Sequence, residues 1–411
     1  MEEFPAGPSV TRLEAEAERL LRFGVGGRHP AGGFAWLRDD GTPDLDRDVE
    51  LWITCRMTHV YALGHLLGFE GAADLVDHGL DALTGRLHDD DHGGWHATVG
   101  PDGPTSQTKG AYDHAFVVLA ATSAVVAGRP RAETLLAEAL DVQDRHFWDE
   151  DDGAVVDVYL DPGFEHLEAY RGANANMHTV EAYLAAADVT GDPRWLERAD
   201  RVVHRFVHGA AGGHDWRLPE HFDPDWRPLL DYHRASPDDP FRPYGATVGH
   251  AFEWARLSLH LEAATGGGDD QMRSDAASLF ERAVTDGWQV DGPPGFVYTT
   301  DWDGIPVVRQ RLHWVVCEAL AAAATLHRAT RDGCYGDHFR AWWAHADAWF
   351  VDRDGGSWHH ELDEQLRPAA SVWPGKPDLY HALQAVLVPR APLAPSLATA
   401  IADGRLGALP G

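Results

Sequence analysis

A two-helix unit recurs along this chain every 60 to 80 residues, and a repeat of that length limits the fold more than any other feature of the sequence. Gly-rich turns of one kind punctuate it, at Asp91-His-Gly-Gly-Trp95, Asp151-Asp-Gly-Ala154, Gly212-Gly-His-Asp-Trp216, Gly292-Pro-Pro-Gly-Phe296 and Asp354-Gly-Gly-Ser-Trp358. Ahead of the later turns lie segments with one apolar stripe at helical spacing: Arg131–Phe147, Arg194–Val207, Asp275–Val290 and Phe339–Val351. A second kind of segment is apolar on most faces: Asp48–Leu67, Lys109–Val126, Asn174–Ala187, Gly245–Leu261, Val307–Leu326 and Asp378–Val388. A helix that is apolar all round is buried, whereas one with a single stripe lies outside. Six pairs of an inner and an outer helix predict an all-α (α/α)6 barrel, with an open helical solenoid as the alternative. No low-complexity linker divides the chain, so one domain over 1–411 is expected. Asp44 and Thr108 are candidate N-caps, and Pro130 and Pro193 suit the first turns of outer helices.

The links joining inner to outer helix within a pair are short, and those leading to the next inner helix are long. The N-termini of the six inner helices should therefore gather at one face around a central cavity. Five of these helices carry a histidine in matching phase: His114, His178, His250, His313 and His381, separated by 64, 72, 63 and 68 residues. Histidine is the usual proton shuttle near neutral pH. His114 and His313 are expected mainly as scaffold. Glu253 stands at i,i+3 from His250, on the same helix face, and is expected to orient the imidazole and raise its basicity. Arg56, in a buried helix, needs an anionic or polyhydroxyl partner, with Glu50 or Glu318 as internal alternatives. Asn174 and Asn176 open their helix, where capping is the alternative role. Trp52, Tyr112, Trp314, Trp358 and Trp373 flank these positions as candidate walls of a sugar site.

Other chemistry is disfavoured. With 34 Lys and Arg against 65 Asp and Glu, the net charge of −31 argues against nucleic acid and against an anionic membrane surface. Cys55, Cys317 and Cys334 form no metal or disulfide pattern. There is no H-E-x-x-H, no Gly-rich phosphate cradle and no G-x-S-x-G, so no metal and no cofactor are expected. Met1-Glu-Glu-Phe-Pro5 has no signal-peptide character, and the longest apolar run, Ala115 to Ala127, is shorter than a span of about 20 residues. A cytoplasmic protein is expected, as a monomer or a homo-oligomer.

Three motifs carry a resemblance: Tyr170-Arg-Gly-Ala-Asn-Ala-Asn-Met-His-Thr-Val-Glu-Ala-Tyr183, Arg242-Pro-Tyr-Gly-Ala-Thr-Val-Gly-His-Ala-Phe-Glu-Trp254 and Trp373-Pro-Gly-Lys-Pro-Asp-Leu-Tyr-His381. Together with the Arg56 segment they make the chain resemble the N-acylglucosamine 2-epimerase superfamily from about Trp36 to Leu387, and within it the bacterial aldose–ketose isomerases. The resemblance implies an (α/α)6 barrel and metal-independent proton transfer on a monosaccharide. It places functional positions at Arg56, Tyr112, Asn174, His178, Arg242, His250, Glu253, Trp314, Glu318 and His381. Relatives acting on disaccharides are similar but carry an aromatic just before the last histidine, where this chain has Lys376. Interconversion of D-mannose and D-fructose, with D-lyxose and D-xylulose as a further pair, is the expected activity. Isomerisation of sulfoquinovose, with Arg242 and Lys376 meeting a sulfonate, and 2-epimerisation are the alternatives. An (α/α)6 glycoside hydrolase is more remote, because the helix mouths are poor in paired carboxylates. In the expected mechanism His250, helped by Glu253, moves the C2–C1 proton, and His381 serves ring opening, or the two exchange these tasks. Arg56 steadies the enediolate, while His178, Asn174, Tyr112 and Trp52 bind the sugar.

Overall fold

The computed structural model describes residues 7–409, so Met1–Pro5, read above for a leader, lie outside the described residues. Six inner helices form a closed ring: α2 (Leu51–Leu66), α4 (Ala111–Val126), α6 (Ala173–Thr190), α8 (Val248–Ala264), α10 (His313–Thr330) and α12 (Tyr380–Leu387). Each packs on the next, and α12 returns to α2. Outer helices α3 (Ala72–Leu83), α5 (Ala132–Val142), α7 (Arg194–Val203), α9 (Asp270–Gly287) and α11 (Gly333–Trp349) each pack on the inner helix before them. The sixth outer helix is α1 (Val10–Gly24), which packs against α12, so the N-terminal segment completes the last pair. The result is the (α/α)6 barrel. A short helix, α13 (Leu397–Ala402), lies across α2, α4 and α6.

Burial follows the sequence pattern. In α2 every residue from Leu51 to Gly64 is buried, whereas α7 buries one stripe of Trp195, Ala199, Val202 and Val203. That contrast is the difference between a helix surrounded by neighbours and one facing water.

The expected caps are corrected. Asp44 lies in a two-residue strand well ahead of α2 and holds Arg38, and Thr108 stands three residues ahead of α4, bonded to Ser106. Pro193 occupies the N-cap of α7 itself, and Pro130 precedes the Arg131 N-cap of α5. Five of the six inner helices need no side-chain cap at their first N–H, whereas in α12 the Asp378 carboxylate accepts from Tyr380 N–H at 2.8 Å. Before each of α2, α4, α6, α8 and α10 the chain is extended for two residues and pairs antiparallel with the following long loop. The first helical N–H then finds a carbonyl across that ladder: Leu51 to Ala97 at 2.9 Å, Ala111 to Asp157 at 2.8 Å, Ala173 to Glu220 at 2.9 Å, Val248 to Tyr298 at 3.1 Å and His313 to His360 at 3.0 Å. These strands satisfy orphan donors and also fix the long loops over the barrel mouth.

One glycine is needed for this. Gly245 has φ +93° just before the strand into α8, and a Cβ there would lie 2.1 Å from the Thr300 carbonyl oxygen. Gly245→Ala is expected to cost about 1–3 kcal/mol, read from the shift of a urea midpoint.

Candidate active site

At the N-terminal end of the inner helices lies a cavity to which all six contribute: Trp52 and Arg56 from α2, Tyr112 from α4, Asn174 and His178 from α6, His250 and Glu253 from α8, His313 and Trp314 from α10, and His381 from α12. The side chains meet there because each sits in the first two turns of an inner helix; five of these starts are pinned by the strand ladder and that of α12 by Asp378. Close approach matters locally: a Cβ on Gly249 would lie 2.2 Å from the Trp314 ring, so glycine lets that indole pack beside His250.

Two histidines share one arrangement. Nδ1 of His250 is 3.0 Å from Glu220 Oε1, and Nδ1 of His381 is 3.1 Å from Glu318 Oε1. With Nδ1–H donating to a carboxylate, the tautomer leaves Nε2 as the basic nitrogen. The Trp314 ring lies between them, 5.1 Å from His250 and 5.8 Å from His381. Burial lowers the basicity of His381 despite Glu318. It brings His178 down to about 4, so His178 is a neutral ring at pH 7.

Arg56 donates to the Tyr112 hydroxyl at 2.9 Å and to Asp378 Oδ2 at 3.3 Å, so its internal partner is neither Glu50 nor Glu318. Its guanidinium carbon lies over Phe116, Tyr380 and Trp52 at 4.5, 4.7 and 5.0 Å. Burial opposes its charge, but Tyr112 and Asp378 outweigh that and keep it protonated. Asn174 Oδ1 and His178 Nδ1 are buried without a hydrogen-bond partner among the described residues. Asn176, by contrast, is used internally, bonding Val155 and Gly172 backbone atoms.

Four sequence expectations are corrected. Glu253 does not hold His250: its Oε1 lies 3.5 Å from Arg256 and 3.8 Å from His178 Nδ1, because i,i+3 spacing puts it one turn deeper while the His250 Nδ1 edge faces the loop carrying Glu220. Glu318 is not on the cavity wall; it sits behind His381, bonded by Arg256 Nε at 2.9 Å. Lys376 is fully buried outside the cavity, donating to Asp352 at 2.6 Å and to the Gly356 carbonyl at 2.7 Å, as a buried ammonium must. Arg242 lines a neighbouring cavity and makes two bonds to Glu168, at 3.0 and 2.8 Å, over the Tyr170 ring. Both cations that were to meet a sulfonate are thus already neutralised.

Several lining residues were not singled out: Pro240, Phe241, Tyr298, His360, Pro377 and Asp378. Glu220 was missed too. His313, expected as scaffold, stacks on His360 at 3.6 Å, and both of its ring nitrogens are unbonded at the cavity. His114 differs, donating to the Gly110 carbonyl and accepting from Trp95 N–H. A signal existed. Ala97, Asp157, Glu220, Tyr298 and His360 are equivalent positions of the long loops, each accepting a helix-start N–H, and they follow the period of the Gly turns. Trp373 lines the cavity as proposed, but Trp358 is buried elsewhere, bonded to Glu16.

His178, Glu181 and Glu253 offer atoms within 4.8 Å of one another, the sort of group that can hold a metal. The Arg256 guanidinium, 3.5 Å from Glu253 and 4.0 Å from Glu181, already supplies a cation there.

Comparison with known proteins agrees with this geometry. Residues 32–385 match the N-acylglucosamine 2-epimerase (GlcNAc 2-epimerase) family. A D-mannose isomerase of Thermobifida fusca is 53% identical over 95% of this chain and 96% of its own length. One from Pseudomonas cannabina pv. alisalensis is 49% identical over 95% and 94%. The crystal structure of a D-mannose isomerase, 28% identical, superposes with a TM-score of 0.87 over 94% of this chain and 99% of that one. With a helical ring, a cavity lined by all six inner helices and relatives matched end to end, the chain belongs to the N-acylglucosamine 2-epimerase family, as a sugar isomerase of the aldose–ketose kind.

Proposed function

We propose that the protein interconverts D-mannose and D-fructose, and more slowly D-lyxose and D-xylulose, by histidine-mediated proton transfer without a metal ion. The observation carrying this reading is the pair of carboxylate-backed histidines flanking Trp314 in one cavity with Arg56. Isomerisation needs the ring opened, a proton taken from C2 and a proton delivered to C1. His250 Nε2 takes the C2 proton, the imidazolium exchanges it with solvent, and His250 then delivers a proton to C1, with Glu220 stabilising the imidazolium in between. Near-neutral bases suit such a transfer. His381, backed by Glu318, moves protons among the sugar oxygens during ring opening. The cis-enediolate carries negative charge on O1 and O2, and the Arg56 guanidinium with the Tyr112 hydroxyl is placed to stabilise it. Neutral His178 and Asn174 have unbonded polar atoms to offer sugar hydroxyls. The neutralised Arg242 and Lys376 favour an uncharged hexose over a sulfonated one.

The test is a panel of aldoses and ketoses in D2O, followed by NMR with and without EDTA. D-Mannose should give D-fructose with deuterium at C1, and EDTA should leave the rate unchanged. Exchange at C2 with D-glucose as the main product would favour 2-epimerisation. Complete loss on chelation, restored by one divalent ion, would overturn the metal-free mechanism. A kcat/KM for sulfoquinovose above that for mannose would overturn the substrate.

A further inference from the structure

Beneath the cavity one guanidinium faces three carboxyl groups. Arg256 on α8 lies 2.9 Å from Glu318 on α10, 3.5 Å from Glu253 on its own helix and 4.0 Å from Glu181 on α6. The Arg256, Glu253 and Glu318 side chains are 2%, 1% and 1% exposed, and Glu181 12%. The other groups packed against this layer do not balance it. Arg56 of α2 is taken by Asp378, burial keeps Tyr380 of α12 neutral, and burial holds His59 of α2 and His260 of α8 at about 4 and about 3. Burial keeps both His178 of α6 and His381 of α12 below the ordinary histidine value. Three ionised carboxylates would therefore leave excess negative charge in a buried site, and proteins relieve that by protonation.

The hydrogen bonds say which carboxyl takes the proton. Glu318 accepts from Arg256 and, at 3.1 Å, from His381 Nδ1–H. Glu181 accepts from the Tyr380 hydroxyl and, at 3.1 Å, from the Gln384 amide. Among the described residues Glu253 has only its long contacts with Arg256 and with His178 Nδ1. Burial and the neighbouring Glu318 charge push Glu253 well above the carboxylate range. For Glu318 and Glu181 burial acts the same way but is outweighed: Arg256 and His381 hold Glu318 low, and His178, Arg256 and Tyr380 hold Glu181 low. Of the three, Glu253 alone lines the sugar cavity.

We propose that Glu253 is a neutral carboxylic acid at pH 7 and donates its O–H to an oxygen of the enediolate. The donor role rests on the aldose–ketose reading; the protonation does not. A buried neutral donor aimed at developing charge gains strength in the transition state without reorganising. It also gives Glu253 a task that does not pass through His250.

Two measurements test this. The infrared difference spectrum between wild type and Glu253→Gln, recorded without sugar, should contain the C=O stretch of a protonated carboxyl group, shifted in D2O. This readout needs no turnover, so it stands even if mannose is not the substrate. Glu253→Gln keeps neutrality and a donor, and should hold kcat within about tenfold of wild type with an unchanged melting temperature, while Glu253→Ala should lose about 10²–10³-fold. No carboxyl band, a Glu253→Gln enzyme as inactive as Glu253→Ala, or a Glu253→Gln chain that fails to fold would each overturn the proposal.

Discussion

Replacing His250 or His381 by alanine should lower kcat for D-mannose by about 10²–10⁴-fold, the range general acid–base groups supply. The two variants should differ in stability. Without His250, buried Glu220 loses its side-chain partner, and an orphaned buried acceptor costs about 1–3 kcal/mol. Without His381, Glu318 keeps Arg256 at 2.9 Å, and the cost should be smaller. Glu220→Gln keeps an acceptor for Nδ1–H but removes the charge. Its defect should appear in kcat and in the pH profile, with KM little changed, because Glu220 acts through His250. His114→Ala should cost more stability than activity, since both ring nitrogens bond within the scaffold. Thermal midpoints and mannose turnover measured side by side decide the matter. If His250→Ala keeps more than about a tenth of wild-type kcat, the proton shuttle must be redrawn around His178 and His381.

The second large effect is on acid stability. Burial holds His59, His178 and His345 at about 4, and His114 and His260 at about 3. Their ordinary value is near 6.5, so the unfolded chain takes up protons first as the pH falls. Each group's contribution is therefore complete above about pH 6.5 and is lost below it. At pH 5 the loss is about 2 kcal/mol per histidine, roughly 10 kcal/mol for these five. Asp113 and Asp157 work in the opposite sense. Burial raises them to about 7 and about 6, so each gains stability as the pH falls through its folded value, together about 3–4 kcal/mol by pH 5. Glu253, pushed well above the carboxylate range, acts in the same sense as the two aspartates, while buried His313 and His360 add to the loss, so the chain should lose stability between pH 7 and pH 5. Urea midpoints at pH 7 and pH 5 check this, and a flat profile would show that these rings are solvated in the folded state.

The ring and the phase of its mouth are legible from local periodicity alone. Whether a helix is apolar all round or along one stripe is a local property, written in residues three and four apart, and it separated α2 from α7 without coordinates. The same regularity put His178, His250 and His381 at helix starts, and a helix start is a defined place once the pairs close into a barrel. What those side chains touch is settled by long-range packing. The carboxylate behind His250 comes from a loop 30 residues earlier, Glu220, whose position depends on a strand ladder between two-residue segments too short to leave an alternating pattern. Lys376 and Arg242 look free in sequence because Asp352 and Glu168 are 24 and 74 residues away. The sixth outer helix is likewise supplied from the opposite end of the chain, α1 against α12. Helical periodicity follows from local geometry, whereas ion pairing follows from burial: a charge taken out of water must find its partner wherever the fold has brought one.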